Sequence, residues 1–405
     1  MAGQEKRRTP EQLAAHPPGQ TRKKNQKTHG IDIPFLILVL ALVCFGLIML
    51  FSATYAYSYY KTGGADSYAY IRQQALFAVF GVVAMLGISL IPYHLYRKLM
   101  YVIFGGAFGL LVITLFMPAV NGAQRWIFFG GISFQPSEIM KFAMAVTCAW
   151  LIDFAMKKQI TTKKGVINGM QTFQYGVLPF VAPVLLVAVV MMLQPHTSGT
   201  ILIVSIAALM MLVGGTRLRW FMLAGGAGIG ALAAFILSSE KMAYVLDRLQ
   251  IWQDPFLDAQ DKGFQTVQSL YAIGSGGFFG VGIGNSKQKH LFIPEPQNDF
   301  IFSIVCEELG FLGAFLVIAL FALLIWRGLV ISIKAKDRFG SLLAFGLTMQ
   351  VGLQALLNIA VVTNTVPNTG ISLPFFSYGG TSLLMLLGEM GVILNISKTA
   401  DLRRT

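Results

Sequence analysis

The sequence predicts an all-α, polytopic membrane protein with ten transmembrane helices. Hydrophobic residues make up 55% of the chain and charged residues only 12%, and the mean hydropathy is +0.65. This is not the profile of a soluble globular protein. Apolar runs recur along nearly the whole chain, and a helix needs about 20 predominantly apolar residues to cross a bilayer.

Two polar tails flank the apolar runs. Residues 1–33 form a basic tail with the composition of a disordered segment, too polar to be a cleavable signal peptide. Residues 398–405 form the second tail. The predicted spans between them are residues 34–54, 75–92, 100–118, 137–155, 176–193, 199–214, 218–237, 300–329, 340–365 and 371–397.

The distribution of positive charge predicts the orientation of these spans. An even number of spans places both termini on one side, and most of the 31 Lys and Arg residues fall on that same side. Cytoplasmic segments carry such an excess, so both termini are predicted to be cytoplasmic. The net charge of +13 is then mainly a topological signal, which argues against a nucleic-acid partner.

This orientation leaves one long extracytoplasmic loop, residues 238–299, between the seventh and eighth helices. The loop is far longer than an ordinary connection, which favours a functional role at the outer face. Four polar clusters lie on or near that face.

The first cluster is the stretch NGAQRWIFFGGISFQPSEIMKF. Glu138 and Lys141 are three residues apart and share a helix face. Two interpretations stay open for them: a mutual salt bridge with the lysine reaching outward, or a functional pair. Arg125, which precedes Trp126, fits either a functional site or an anchor at the membrane surface.

The second cluster is the glycine-rich run QSLYAIGSGGFFGVGIGNSKQKHLFIPEPQND. Its glycines do not follow a strand and lie in an extracytoplasmic loop, which excludes a dinucleotide fingerprint. Glycine-rich backbone can still present N–H groups to a phosphate, and Lys287 and Lys289 lie nearby. The alternative is a flexible re-entrant hairpin.

The third cluster, IPEPQNDFIFSIVCEELGF, places Glu295 and Asp299 before an apolar helix and Glu307 and Glu308 within it. Asp299 is either an N-cap of that helix or a partly desolvated general base. Glu307 and Glu308 lie about 12 to 13 Å deeper, where ionisable groups need partners. For these two acids, structural pairing with another span is the favoured interpretation.

The fourth cluster, NTVPNTGISLPFFSYGGTS, interrupts the last apolar region with prolines and glycines. Broken helices at membrane depth are tolerated where they line a cavity or are buried in protein. Ser377 and Tyr378 would offer hydroxyl groups to such a cavity, although Tyr378 is equally compatible with a buried aromatic side chain.

Taken together, the motifs AQRW…QPSEIMK, AIGSGG…PEPQNDFIF…EELGF and LPFFSYGGTS resemble the SEDS family of cell-wall polymerases, the RodA and FtsW group. The resemblance spans residues 34–397, which are expected to form one ten-helix membrane domain. The forms PEPQNDFIF and NTGISLPFFSYGGTS are closer to the FtsW and SpoVE branch.

The resemblance implies a peptidoglycan glycosyltransferase that polymerises lipid II into β-1,4-linked glycan strands on the outer leaflet. The essential aspartate of the family corresponds to Asp299, expected to be the general base of an inverting displacement. Arg125, Glu138 and Lys141 also match the family's motifs. The other candidates for substrate binding are Glu295, Lys287, Lys289, Ser377 and Tyr378, and Asp299 is expected to pair with Lys141.

The resemblance also implies the surroundings of the enzyme. The expected partners are lipid II, a class B penicillin-binding protein, other divisome membrane proteins and membrane lipids, in the bacterial cytoplasmic membrane at the division septum. The resemblance allows a divalent cation, Mg²⁺ or Mn²⁺, as a cofactor and implies no organic cofactor. No ligand cluster has a spacing that identifies the metal.

Three other functions stay open at this point. A flippase for the lipid-linked precursor would also have ten spans, broken helices and intramembrane acids. However, the polar clusters lie near one face instead of the midplane. An elongation-type RodA polymerase and a non-catalytic scaffold for a transpeptidase are the remaining alternatives.

Overall fold

Helices dominate the fold of the computed structural model, which describes residues 30–119, 124–129, 132–163, 165–194, 196–223, 226, 250–261, 263–290 and 292–402. The helices are α1 Ile33–Lys61, α2 Ala69–Ile88, α3 His94–Lys98, α4 Met100–Ile113, α5 Pro136–Lys157, α6 Phe173–Gly176, α7 Leu178–Leu193, α8 Thr197–Val213, α9 Phe264–Gly276, α10 Ile301–Ile333, α11 Arg338–Val362 and α12 Gly380–Ser397.

Within the described part of the chain, seven helical segments are long and apolar enough to cross a membrane. They are Ile33–Lys61, Ala69–Ile88, Pro136–Lys157, Phe173–Leu193, Ile301–Ile333, Arg338–Val362 and Gly380–Ser397. Two shorter apolar segments, Met100–Phe116 and Thr197–Val213, coincide with further predicted spans. The predicted span at 218–237 lies mostly outside the described residues.

Two short antiparallel hairpins accompany the helices of this predominantly α-helical fold. Strand β1, Ile127–Phe129, pairs with β2, Ile132–Phe134, so that Phe128 lies opposite Ser133. Strand β3, Gln159–Thr162, pairs with β4, Gly165–Asn168. Both hairpins lie in loops between helices, where backbone groups without helical partners bond across a turn instead.

The last predicted span is corrected. The sequence predicts a span over residues 371–397, but α12 begins only at Gly380. Residues 371–379 contain turns and bends but no helix, and Phe375 has a positive φ of 66°. The prolines and glycines that mark this stretch in the sequence therefore end one element and delay the next.

Small residues allow close packing between α2 and α12. A Cβ atom on Gly391 would lie 2.5 Å from the carbonyl oxygen of Met85, and one on Gly81 would lie 2.5 Å from Leu387. Close backbone approach of this kind is how helices associate in membranes, where burial of apolar surface gives little drive. The pairing places the start of α12 beside α2, next to residues 371–379.

Helix α10 is broken near Gly310, and the glycine-rich loop fills the break. Gly310 has φ 64° and ψ −161°, a conformation essentially restricted to glycine. The carbonyl oxygens of Glu307 and Glu308 accept hydrogen bonds from Val281 and Gly282 N–H, at 3.0 Å each. The loop thus satisfies backbone groups that the break would leave exposed to hydrocarbon.

The side chains of Glu307 and Glu308 are buried, and loop groups bond to both. Glu308 accepts hydrogen bonds from Lys289 Nζ at 2.9 Å and from Ser52 Oγ of α1 at 2.7 Å. Glu307 accepts from the Ser286 hydroxyl and from Lys287 N–H, the latter at 2.9 Å. The expected pairing with another span is present in the Ser52 contact, but most partners come from the loop.

Gly310→Ala is expected to destabilise the protein strongly. The substitution costs about 1–3 kcal/mol in backbone strain, and its Cβ would lie 2.3 Å from Gly280 N, so the loop must also move. Gly105→Ala is the matched control, because no atom lies within 4 Å of its Cβ position in α4. Thermal unfolding in detergent should show a lower midpoint for Gly310→Ala only. Equal midpoints would contradict the packing described for the break.

Candidate active site

A polar cavity of about 390 Å³ lies where the first, third and fourth sequence clusters meet. Its walls come from α2, the β1–β2 hairpin, the N-terminal ends of α5 and α12, the turn before α8, the turn before α10, α11 and the stretch 370–379. The lining includes Gln73, Arg125, Trp126, Ser133, Gln135, Glu138, His196, Asn298, Asp299, Gln354, Ser372, Ser377, Tyr378 and Ser382.

A hydrogen bond to the backbone carbonyl of Asp299 holds this residue at the cavity wall. Asn358 Nδ2 donates to the carbonyl oxygens of Asp299 and Ile371, at 2.7 and 2.6 Å, and so ties two cavity segments to α11. Helix α10 begins at Ile301 with Phe300 as its N-cap, and no side chain among the described residues caps it. The alternative role of Asp299 as an N-cap is therefore wrong, and its carboxylate faces the cavity.

The electrostatic surroundings make Asp299 more basic than an ordinary aspartate. Burial, together with the nearby charge of Glu295, raises the pKa of its carboxyl group to about 6, and the charge of Arg125 opposes this shift. Burial also lowers the pKa of the Arg125 guanidinium, against the effect of Asp299. The carboxylate is thus still ionised at neutral pH and has a pKa suited to accepting a proton.

Lys141 forms its ion pair with Glu138 and not with Asp299, which corrects the expected pairing. Lys141 Nζ lies 2.9 Å from Glu138 Oε2 and also donates to Gln354 Oε1 at 2.9 Å. Ser382 of α12 donates to Glu138 Oε2 at 3.0 Å. The two residues lie about one helical turn apart, on the same face of α5, as their spacing predicted. Through Gln354 and Ser382, the pair links α5 to α11 and α12.

Ser377 and Tyr378 both line the cavity, but their hydroxyl groups already bond to neighbouring segments. Ser377 Oγ donates to Asn298 O and accepts from Leu373 N–H, both at 2.7 Å. The Tyr378 hydroxyl donates to Gln73 Oε1 at 2.6 Å. In this structure they hold the wall in shape, and Asn298, which Ser377 contacts, directly precedes Asp299.

Three predicted substrate ligands lie away from the cavity lining. Lys289 is buried against Glu308, so its charge is committed inside the protein. Lys287 is exposed in the glycine-rich loop. Glu295 is also exposed and accepts from Asn298 Nδ2 at 2.8 Å. The glycine-rich part of the second cluster therefore supports α10, and only its last residues, Asn298 and Asp299, line the cavity.

Sequence reasoning missed His196, Gln354 and Asn358. Gln354 and Asn358 are polar amides inside a predicted span, and this placement could have marked them as lining a polar site. His196 stands in the short turn QPHTS between two spans, which looks like a plain connection. Burial together with the charges of Arg125 and Lys141 lowers the pKa of His196 to about 3, so its imidazole is neutral.

Lys141→Met is expected to destabilise the protein, because it leaves the Glu138 carboxylate without its counter-ion. Loss of one partner of a buried pair costs about 3–5 kcal/mol, whereas replacing both partners costs much less. The double variant Glu138→Gln/Lys141→Met should therefore recover much of the lost unfolding midpoint. Arg72→Met serves as the control, since the Arg72–Asp66 pair is largely exposed and should contribute little. Additive losses in the double variant would contradict the pairing.

The chain is similar to known proteins in family, sequence and fold. The profile described as cell cycle protein, for FtsW, RodA and SpoVE, matches residues 33–402. Stage V sporulation protein E of Bacillus subtilis is 40% identical over 91% of this chain and 97% of its own length. A probable peptidoglycan glycosyltransferase FtsW of Geobacter sp. is 36% identical over 92% of this chain and 98% of its own.

Solved structures share the fold. A chain from a study of the structural coordination of polymerization and crosslinking by a peptidoglycan synthase complex matches with a TM-score of 0.71, at 24% identity over 91% of this chain and 97% of that one. The rod shape determining protein RodA of Thermus thermophilus matches with a TM-score of 0.65, at 23% identity over 92% and 98%. The chain is thus a multi-pass membrane protein and belongs to the cell cycle protein family of FtsW, RodA and SpoVE.

Proposed function

We propose that this protein is a peptidoglycan glycosyltransferase that polymerises lipid II on the outer leaflet, with Asp299 as its general base. The observation that carries the proposal is the Asp299 carboxylate, which lines a polar cavity beside Arg125 and has a pKa raised to about 6. The relatives named as probable peptidoglycan glycosyltransferases support the reaction class, since they align over more than nine-tenths of the chain.

The reaction needs one base and one displacement. The 4-hydroxyl oxygen of the acceptor sugar forms a bond to the anomeric carbon of the donor, while the bond from that carbon to the diphosphate oxygen breaks. The hydroxyl proton passes to a carboxylate oxygen of Asp299, and polyprenyl diphosphate leaves with the bonding electron pair. Since the α-linked donor gives a β-linked product, the displacement inverts configuration without a covalent enzyme intermediate.

Positive charge is required where the diphosphate departs, and Arg125 is the residue we assign to it. Its guanidinium lines the cavity and is close enough to Asp299 for the two charges to influence each other. Lys141 is less suited to this role, because Glu138 neutralises it at 2.9 Å. We therefore assign Glu138 and Lys141 to holding the cavity wall between α5, α11 and α12.

A divalent cation would assist by neutralising the diphosphate. The described residues contain no group of three or more His, Cys, Asp or Glu side chains able to hold a metal ion. Mg²⁺ is usually bound by one or two carboxylates together with substrate phosphates, a smaller requirement. The diphosphate of the substrate would then supply most of the cation's oxygen ligands.

The cellular setting follows from the family and the charge distribution. We propose ten transmembrane helices, cytoplasmic termini and a position at the division or sporulation septum, in line with the FtsW and stage V sporulation relatives. A class B penicillin-binding protein is the proposed partner, together with other divisome membrane proteins. A structural neighbour described as a peptidoglycan synthase complex supports the choice of partner.

Asp299→Asn should abolish polymerisation without unfolding the protein. A general base typically contributes a factor of about 10²–10⁴, so the rate on fluorescent lipid II in nanodiscs should fall by that amount. Asp261→Asn, in the exposed part of the same loop, is the matched control and should keep the wild-type rate. Each sample is assayed alone and with its candidate transpeptidase. If no sample makes glycan while lipid II crosses sealed vesicles, the protein is a transporter.

The pH profile gives a separate test of the base. Asp299 must be ionised to accept a proton, and its pKa lies near 6 instead of the ordinary value of 3.8. The ratio kcat/KM, which reports ionisations of the free enzyme, should therefore be near its maximum above pH 7 and fall about tenfold per pH unit well below 6. A rate that stays constant down to pH 5 would exclude Asp299 as the titrating base.

A further inference from the structure

A second, smaller cavity adjoins the main one and is not used in the reaction described above. This annex has a volume of about 60 Å³ and is lined by Gln135, Ser137, Glu138, Lys141, His196, Ser198, Gly199, Leu202, Gln354, Gly370, Ile371 and Ser372. One water molecule needs about 10–15 Å³. The annex therefore has room for a small chemical group, and it shares Gly370 and His196 with the main cavity.

Two polar atoms of the annex have no hydrogen-bond partner among the described residues. They are Ser137 Oγ and His196 Nδ1, in side chains that are 4% and 7% exposed. Buried polar atoms are nearly always paired, so each such atom calls for an explanation. Because both belong to the lining of one cavity, a bound group that bonds to them would explain the pair together.

The backbone of His196 is held in place by hydrogen bonds on both sides of the residue. Its backbone N–H donates to Met191 O at 2.9 Å, and its carbonyl oxygen accepts from Thr200 Oγ1 at 2.8 Å. Gly199 leaves room for the ring, since a Cβ there would lie 2.7 Å from His196 Cε1. A buried ring carried on hydrogen-bonded backbone presents its free nitrogen to the cavity with little reorganisation.

The charges of the annex favour a neutral ligand. Lys141 is compensated by Glu138 at 2.9 Å, and the imidazole of His196 is uncharged. A phosphate or carboxylate would bring a charge into this space without a free counter-ion, which is costly. Leu202 and Ile371 add apolar surface beside the two polar atoms. The lining thus suits a small group with one polar and one apolar end.

We propose that the annex binds the acetamido group of a peptidoglycan sugar, with its polar atoms at Ser137 and His196 and its methyl group against Leu202 and Ile371. The inference rests on the proposed function and names a specificity site within it. Every disaccharide unit of lipid II carries acetamido groups at C2 of its sugars.

The position of the annex relative to Asp299 supports this assignment. A Cβ atom on Gly370 would lie 3.2 Å from Asp299 Oδ2, and Gly370 lines both cavities. A sugar whose reacting atom is near Asp299 can therefore extend a short substituent past Gly370 into the annex. The absence of a side chain at Gly370 keeps this passage open.

The test enlarges the annex and offers a larger acyl group. Lipid II analogues with an N-propionyl group on either the inner or the outer sugar are assayed against natural lipid II. One extra methylene in a fitted pocket lowers kcat/KM by about 10-fold or more. Leu202→Ala should largely remove this penalty for the sugar that occupies the annex. Ile206→Ala, on the same helix and buried outside the annex lining, should leave the penalty unchanged.

A second variant covers the case in which Leu202→Ala fails to fold. Ser137→Ala removes one hydrogen-bonding group and should lower kcat/KM about 10-fold for natural lipid II, but not for an analogue without the acetyl group. Equal effects on both substrates, or an unchanged N-propionyl penalty in folded Leu202→Ala, would overturn the acetamido assignment. The wild-type rate on natural lipid II tests the polymerase proposal separately, because selectivity is a ratio within each variant.

Discussion

The structure depends on the rule that every charge inside an apolar helical bundle needs a partner. Lys141 with Glu138, Lys289 with Glu308 and Arg327 with Asp32 obey this rule, with nitrogen–oxygen distances of 2.9, 2.9 and 2.6 Å. Each pair joins segments that are distant in sequence or fixes a helix terminus. The cost of desolvating these groups is offset only while the geometry is maintained, so the pairs define the arrangement of the helices.

Broken helices supply the second half of this arrangement. The break at Gly310 and the stretch 370–379 leave backbone groups that cannot bond within a helix. The loop backbone at 277–282 satisfies the first, and Asn358 and Ser377 bond to the second. Irregular backbone at membrane depth is stable only beside protein or a polar cavity, and here both solutions occur side by side.

Some parts of this arrangement could be predicted from the sequence and others could not. Apolar runs predicted most of the described long helices closely, because hydrocarbon requires a minimum helix length. The spacing of Glu138 and Lys141 predicted their contact, because it depends on local helix geometry. The partner of Lys289 and the site position of His196 depend on how distant segments pack, and no local pattern records that. For the same reason, the predicted pairing of Asp299 with Lys141 is wrong, because Lys141 pairs with Glu138.

The distribution of hydrogen-bond donors explains why one acid among several is suited to act as a base. Glu138 has a lysine and a serine hydroxyl as donors, and Glu308 has a lysine and Ser52. Glu307 accepts from the Ser286 hydroxyl and loop amides. These donors commit the three carboxylates to ion pairs and hydrogen bonds within the bundle. Asp299 instead has Glu295 nearby, and burial raises its pKa. The surroundings of Asp299, unlike the pairs that stabilise the bundle, therefore favour proton uptake.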